Sequence, residues 1–309
     1  MRNTITSSLY SLKGKIINSK IGLKVKDYIL TDPMCDVLYK TMHFFNLSDA
    51  SHANKTFFYL LADNNKYFTE NAVRVQNIIN NLQDEKSRRI YKQMIKYRCT
   101  FFKKDHPEFS LYDQYFPKDI IRLSDKEVFV DCGAYTGDTI NKFVKFTKGK
   151  YTKIVAFEPD VNNLNKLKEY RFKNCILINA AVYNKEGEAE FCNNNVQGFS
   201  SKLSMTKNTH IYLEKDISKT KVVMKIIDNL DECKNATFIK MDIEGAELNA
   251  LKGAENIIRK NHPKLAISIY HSNDDMLNIA EWILSLNLNY KLYVRSHMGN
   301  HDDTVLYAV

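Results

Sequence analysis

Residues 128–309 alternate strand and helix signals and predict an α/β fold. The sheet should be doubly wound, mostly parallel and seven-stranded, ending in an antiparallel pair and preceded by a helical amino-terminal region. Three observations carry this. First, Val-Phe-Val-Asp-Cys-Gly-Ala-Tyr-Thr-Gly-Asp at 128–138 reads as a buried strand, a glycine turn and the start of an amphipathic helix with Ile140, Phe143 and Val144 at helical spacing. Second, apolar strands recur at 153–158, 175–179, 236–242 and 265–271, most of them followed by a helical pattern. Third, the last two strands, 290–295 and 303–309, are joined by a short polar loop that no crossover helix fits, so they must pair antiparallel.

The elements follow in order. Residues 1–31 mix Arg2, Lys13, Lys15, Lys20, Lys24 and Lys26 with isolated apolar residues, a pattern for a basic arm able to touch a membrane surface or a partner. Residues 34–98 are helical, with Ala72, Val75, Ile78, Ile79 and Leu82 on one face and Asn80, Asn81 and Asp84 marking a helix–helix turn. The expected division is a helical region at 1–100, an aromatic linker at 101–127 punctuated by His106-Pro107 and Phe116-Pro117, and a catalytic domain at 128–309. Helices should cover 136–147, the stretch with Val161, Leu164 and Leu167, and a single run from Leu248 to Ile258. Residues 186–195 read as an inserted hairpin and 220–227 as a separate strand.

The net charge of +9 and a pI near 9.0 favour an acidic partner or a lysine-rich solvated surface. No apolar run nears the ~20 residues that span a bilayer, and no secretory signal is evident. Six dispersed cysteines without a C-x-x-C pair suit a reducing compartment, so the expected location is cytoplasmic, with membrane association through the basic arm. Cys132 has no base in sequence to activate it as a nucleophile.

A strand turning through glycines into a helix marks a nucleotide-type site. A dinucleotide fingerprint needs G-x-G-x-x-G. Here Gly133 and Gly137 stand as G-x-x-x-G behind Asp131. With Ala-Phe-Glu-Pro at 156–159, Phe-Ile-Lys-Met-Asp-Ile-Glu-Gly-Ala-Glu at 238–247, Ser-Ile-Tyr-His at 268–271, Arg295 and Thr-Val-Leu-Tyr-Ala at 304–308, the chain resembles the FkbM family of S-adenosylmethionine (SAM)-dependent methyltransferases over roughly residues 112–309. The resemblance implies the class I methyltransferase sheet. Tyr135 stands where the family often carries asparagine.

The resemblance assigns the loop Asp131, Gly133, Ala134, Tyr135 and Gly137 to the methionyl part of SAM. Glu158 would accept hydrogen bonds from the ribose diol, Asp160 would cap the next helix, and Ala180 and Ala181 would let adenine lie against backbone. Asp242, Glu244 and Glu247 form an acidic cluster after the fourth strand. Asp242 would position substrate or cofactor and Glu244 the acceptor; Mg²⁺ held by these carboxylates is the weaker reading, and no residue is assigned to a metal. His271 is the first candidate general base for a hydroxyl. Arg295 and His297, with His301, would hold an anionic group of the acceptor.

The implied activity is O-methylation of a sugar hydroxyl in a glycan or related metabolite. The alternatives are an RNA or DNA methyltransferase and a catalytically silent SAM-binding scaffold of glycan assembly. Amino-directed nucleic-acid enzymes usually carry an Asn/Asp-Pro-Pro-aromatic turn where this chain has Asp-Ile-Glu-Gly at 242–245, which speaks against a nucleic-acid partner.

Overall fold

The structure is a computed structural model, described here for residues 51–100, 105–110, 114–194, 202–203, 217–298 and 303–309. The basic arm at 1–31 and His301 lie outside the described residues. The chain divides into two compact units. The first comprises described residues up to Ile79 together with Arg89–Glu108, and the second holds Asn80–Arg88 and nearly everything after Phe109.

In the first unit, α1 (Ser51–Glu70), most of α2 (Ala72–Asn81) and most of α3 (Glu85–Thr100) bury Leu61, Phe68, Ile78, Tyr91 and Met94. Asn64 and Asn65 donate side-chain hydrogen bonds to the last-turn carbonyls of Arg98 (2.8 Å) and Cys99 (3.0 Å). The expected helix–helix turn is present: α2 stops at Asn81, and the Asp84 carboxylate accepts the Ser87 N–H at 2.6 Å to start α3.

The second unit is built on a seven-stranded sheet. Its strands are β1 (Val128–Cys132), β2 (Lys153–Phe157), β3 (Cys175–Ile178), β8 (Phe238–Met241), β9 (Lys264–Ser268), β10 (Leu292–Ser296) and β11 (Thr304–Ala308). The order is β10-β11-β9-β8-β1-β2-β3. All neighbours run parallel except β11, which lies antiparallel between β9 and β10 and pairs Leu292 with Ala308. β1 is buried at every position because helices cover both faces of a parallel sheet. Beside it Phe129 stacks on Phe143 of α4 (Asp138–Phe146) at 4.5 Å, and Phe116 meets Phe129 and Phe238 edge-on at 6.0 and 5.7 Å.

Three expectations need correction. The segments at 186–195 and 220–227 are partners: β5 (Gly187–Asn194) and β7 (Ile217–Lys225) pair antiparallel along their whole length. With β4 (Ala181–Val182) and β6 (Lys202–Leu203) they form a separate four-stranded sheet. Ala189, Val222 and Met224 alternate inward while Glu188, Glu190, Lys221 and Val223 face out, the pattern of a sheet with one wet face. The run from Leu248 to Ile258 is two helices, α6 (Glu247–Lys252) and α7 (Glu255–Asn261). They break at Gly253, where a Cβ would stand 2.3 Å from the Tyr183 carbonyl oxygen. The Asp228 carboxylate then accepts the Asn256 and Ile257 N–H groups that open α7.

The third correction concerns the aromatic linker. Phe109–Glu127 belongs to the second unit, as does the turn Asn80–Arg88. Gln83 and Ser110 donate backbone hydrogen bonds to Leu292 and Ser296 of β10, covering an edge that would otherwise be open. Arg295 of β10 clamps this cover. Its guanidinium reaches Asp119 (2.7 Å), Asp84 (2.7 Å) and the Ser87 hydroxyl (2.8 Å).

Burial alone would raise the Asp84 carboxyl, but Arg295 and Ser87 hold it down to about 2. A carboxyl depressed in the folded state contributes stability that is full above its unfolded pKa and is lost as pH falls through the folded one. Stability should therefore drop between about pH 4 and about 2, and Asp84→Asn should remove part of that drop. Urea denaturation at stepped pH measures it; an unchanged acid limb in the variant would contradict the clamp.

Candidate active site

The carboxyl ends of β1, β2 and β8 open onto one cleft of about 530 Å³, a volume typical of small-molecule sites. Its walls include Gln114, Tyr115, Gly133, Tyr135, Asp138, Thr139, Glu158, Asn163, Ala180, Ala181, Lys240, Asp242, Glu244 and Asp303.

The glycine loop is shaped by close approach. Gly133 has φ +79°, and a Cβ there would lie 2.0 Å from the Asp242 carbonyl oxygen. The loops leaving β1 and β8 therefore touch through backbone, and only glycine fits. The Gly133 and Ala134 N–H groups donate to the Phe157 carbonyl at 3.0 and 2.9 Å, tying the loop to β2. Ala134 is buried beneath the loop, and a Cβ on Gly137 (φ +93°) would press on Leu167, so neither lines the cleft. Tyr135 takes the left-handed conformation (φ 49°) and is exposed.

Glu158 is buried at the end of β2. Its carboxylate accepts the Tyr135 N–H at 2.8 Å and the Asp160 N–H at 2.9 Å, so it also fixes the glycine loop. Burial pushes its pKa up against those hydrogen bonds. Asp160 caps α5 (Val161–Glu169) through the Asn162 and Asn163 N–H groups, as expected. Ala180 and Ala181 line the far side of the cleft.

Asp131 does not line the cleft; it lies beneath it, fully buried and paired with the Lys240 ammonium at 3.0 Å. Burial pushes the Asp131 carboxyl up to about 6 despite that cation. Lys240 also donates to the Cys132 and Gly133 carbonyls at 3.2 and 2.7 Å. Burial lowers the ammonium's pKa, but Asp131 and Asp242 outweigh it and keep the group charged. Sequence reasoning passed over Lys240, although a lysine inside an otherwise apolar strand is a signal in itself. Cys132 is buried, and burial raises its thiol well above the ordinary value, which suits an inert side chain.

Asp242 is the hub of the acidic end. Its carboxylate accepts the Tyr115 hydroxyl at 2.6 Å and the Tyr270 hydroxyl at 3.1 Å. Burial would raise it, but His271, Lys240 and the two hydroxyls hold it below the usual range. Tyr115 is itself in the left-handed region (φ 67°), fixed by an N–H bond to the Tyr307 hydroxyl at 3.2 Å. No local motif announces Tyr115 or Tyr270.

His271 is brought to this cluster but not to the cleft. Its Nε2 lies 3.4 Å from Asp242 and 3.3 Å from Glu244, and its Nδ1 lies 3.4 Å from Glu247. Burial would lower its pKa, but Glu247, Glu244 and Asp242 raise it well above the ordinary value. His271 thus stands behind the cleft among three acidic side chains, of which Glu247 is itself pushed up to about 8 by burial. Asp242, Glu247 and His271 offer ligand atoms within 4.8 Å of one another. Both Glu247 oxygens already accept backbone N–H groups, from Ile243 (2.7 Å) and Gly245 (3.0 Å), so this donor set fits a hydrogen-bonded brace of the turn better than a metal.

Glu244 (φ 61°) lines the cleft. Arg295 and His297 do not. Arg295 is the β10 clamp, and His297 is buried between the Ser110 carbonyl (3.0 Å) and the Tyr307 hydroxyl (2.9 Å). The anion-holding role expected for both is replaced by packing of the strand edge.

Gly133→Ala should cost more stability than Gly149→Ala. Both have positive φ, worth roughly 1–2 kcal/mol each for a residue with a Cβ, but the added Cβ meets nothing within 4 Å at Gly149. Paired denaturant curves test this; equal losses would mean that the β1–β8 contact is not tight.

The family model described as the Methyltransferase FkbM domain matches residues 131–292, more than half of the chain. No curated protein matches. Among solved structures, the methyltransferase FkbM from Methylobacillus flagellatus KT is 27% identical with a TM-score of 0.66, over 79% of this chain and 60% of that one. The chain thus spans less than two thirds of that relative's length. An rRNA methylase from Streptococcus thermophilus (15% identity, TM-score 0.36, 60% of this chain and 86% of that one) is too distant to bear on activity. So is Aeropyrum pernix fibrillarin with natively bound S-adenosyl-L-methionine (13%, TM-score 0.37, 62% and 71%). With a family match over more than half of its length, one that takes in the glycine loop, Glu158 and the acidic cluster at 242–247, the chain belongs to the FkbM methyltransferase family.

Proposed function

We propose that the chain is a SAM-dependent O-methyltransferase acting on a sugar hydroxyl of a glycan or related metabolite. The observation that carries this reading is one continuous cleft running from Ala180–Ala181 past Glu158 and Gly133 to Asp242. Its residues fit the cofactor. Alanines leave room for a flat base, the Glu158 carboxylate faces the cleft with lone pairs to spare for a diol, and Asp138 and Thr139 stand beside the glycine loop. Bound SAM would supply an electrophilic methyl group on a sulfonium.

The chain's own task is to place the acceptor oxygen and receive its hydrogen bond. Asp242 does so as a carboxylate locked by Tyr115 and Tyr270. His271 acts behind it as a brace that keeps three carboxylates together. A phosphate-rich nucleic acid would meet carboxylates at this end of the cleft, which argues against the nucleic-acid reading.

Glu158→Ala should lose roughly 1.5–3 kcal/mol of SAM binding, read by calorimetry; unchanged affinity would sink the cofactor assignment. Asp242→Asn should cut methyl transfer roughly 10- to 100-fold, the loss of one charge-assisted hydrogen bond to the acceptor, with SAM affinity largely kept. Protein that binds SAM yet transfers nothing to any hydroxyl acceptor would instead be the silent scaffold. His271 has a raised folded pKa, so its stabilisation is full below about 6.5 and fades as pH climbs toward the folded value. Thermal stability should therefore fall from neutral to alkaline pH and flatten in His271→Ala. An activity profile rising through about pH 6.5 and abolished in that variant would restore the base role.

A further inference from the structure

The positive charge of the chain is concentrated. Residues 142–173 hold nine lysines and arginines against three acids, a net +6 in a chain of +9. Two of those acids are occupied elsewhere: Glu158 lines the cleft and Asp160 caps the start of α5. The fold then gathers the cations at one place. The turns that lead into β2 and β3 lie side by side, because the two strands are parallel neighbours. This is the amino end of the sheet, opposite the cleft. The Tyr151 hydroxyl donates to the Lys173 carbonyl at 2.7 Å and the Ile154 N–H to the Asn174 carbonyl at 2.9 Å, which joins the two turns. Lys145, Lys148, Lys150, Lys168, Arg171 and Lys173 are all exposed there.

The helix dipole accounts for two of the six. Lys145 and Lys168 stand in the last turns of α4 and α5, where a cation is favourable. Lys148, Lys150, Arg171 and Lys173 lie beyond the helices. None of the four is ion-paired among the described residues. Lys148 (φ 55°) and Arg171 (φ 49°) fill the left-handed position that follows the cap residues Thr147 and Tyr170. Glycine takes that position at lower steric cost, yet both helices end here on a cation. Beside Arg171, Tyr170 is half exposed, with its ring stacked on Phe172 at 5.1 Å and 4° between the planes.

We infer that this end of the sheet is a peripheral docking surface for an anionic phospholipid membrane. Charge complementarity carries the assignment. Unpaired cations on two adjacent turns match a plane of anionic headgroups, which attracts each cation within a Debye length. Tyrosine, with an apolar ring and a polar tip, suits the headgroup level. Three of the four cations are lysines, point charges on flexible stems that need no fixed partner geometry, whereas phosphate readout in nucleic acid favours arginine forks. A nucleic-acid substrate would also need its cations beside the cleft, and these stand at the other end of the strands. A chain docked this way keeps the cleft turned away from the lipid and open to an acceptor.

The test is co-sedimentation of the full chain with phosphatidylcholine vesicles, with and without phosphatidylglycerol. Binding should require phosphatidylglycerol and weaken as sodium chloride is raised. Combining Lys148→Gln, Lys150→Gln, Arg171→Gln and Lys173→Gln should weaken it roughly fivefold for each cation removed. A thermal melt checks that this variant stays folded. A control that combines Lys66→Gln, Lys92→Gln, Lys252→Gln and Lys260→Gln takes the same charge from exposed positions elsewhere and should lose far less. No binding to the anionic vesicles would overturn the inference. Equal losses in the two variants would also overturn it, since net charge and not these turns would then drive binding. An unchanged affinity in the first variant would move any contact to another part of the chain, such as the basic arm at 1–31. A single-stranded DNA oligonucleotide bound more tightly than the vesicles, through the same four cations, would assign the surface to nucleic acid instead.

Discussion

A buried ammonium holds the site together. Lys240 sits in the middle of β8 with its Nζ 3.0 Å from Asp131 on the neighbouring β1, and it donates to the carbonyls of Cys132 and Gly133 where β1 becomes the glycine loop. Removing two charges from water is expensive, and a buried pair of this kind is weak evidence for net stability. What it supplies is position. Gly133 is pressed against the Asp242 backbone, and the lysine bridges the two loops at that point. Removing either partner would leave an uncompensated charge in the sheet, which in general costs ~3–5 kcal/mol.

Asp242 inherits its position from that contact, and the acidic cluster is arranged around it. Four groups converge on the Asp242 carboxylate: the hydroxyls of Tyr115 and Tyr270, the ring of His271 and, more distantly, Lys240. Glu247 pins the turn 243–245 through two backbone N–H groups, so that Glu244 projects into the cleft. His271 is therefore surrounded by acidic side chains, which raise its pKa. Its place at a strand end suits a base, but three carboxylates within 3.4 Å change its chemistry.

The outer edge of the sheet shows the same economy of charge. Arg295 gathers Asp84, Asp119 and Ser87 over β10 and so recruits the Asn80–Arg88 turn and the segment after Phe109 into the second unit. That segment delivers Tyr115 to Asp242 and Phe116 to the aromatic cluster. Covering an edge strand and completing the cleft are thus done by the same stretch of chain.

Much of this was legible in the sequence because it is local. The apolar runs, the glycine turn and the short loop before β11 specify strands, a sharp turn and an antiparallel ending through backbone sterics and chain length alone. They also placed Glu158, Asp242, Glu244 and the two alanines at strand ends facing one cleft. The pairing of β5 with β7 was not legible, since the residues between them carry no tight-turn signal to set the register. Nor were the jobs of Tyr115, Lys240, Arg295, His297 and His271. Each depends on groups far away in sequence, such as Asp242 for Tyr115 and Asp84 for Arg295, and a side chain's charge state is set by what surrounds it. The sequence determined which residues stand at the rim. Only the tertiary structure decided which of them face the cleft and which face one another.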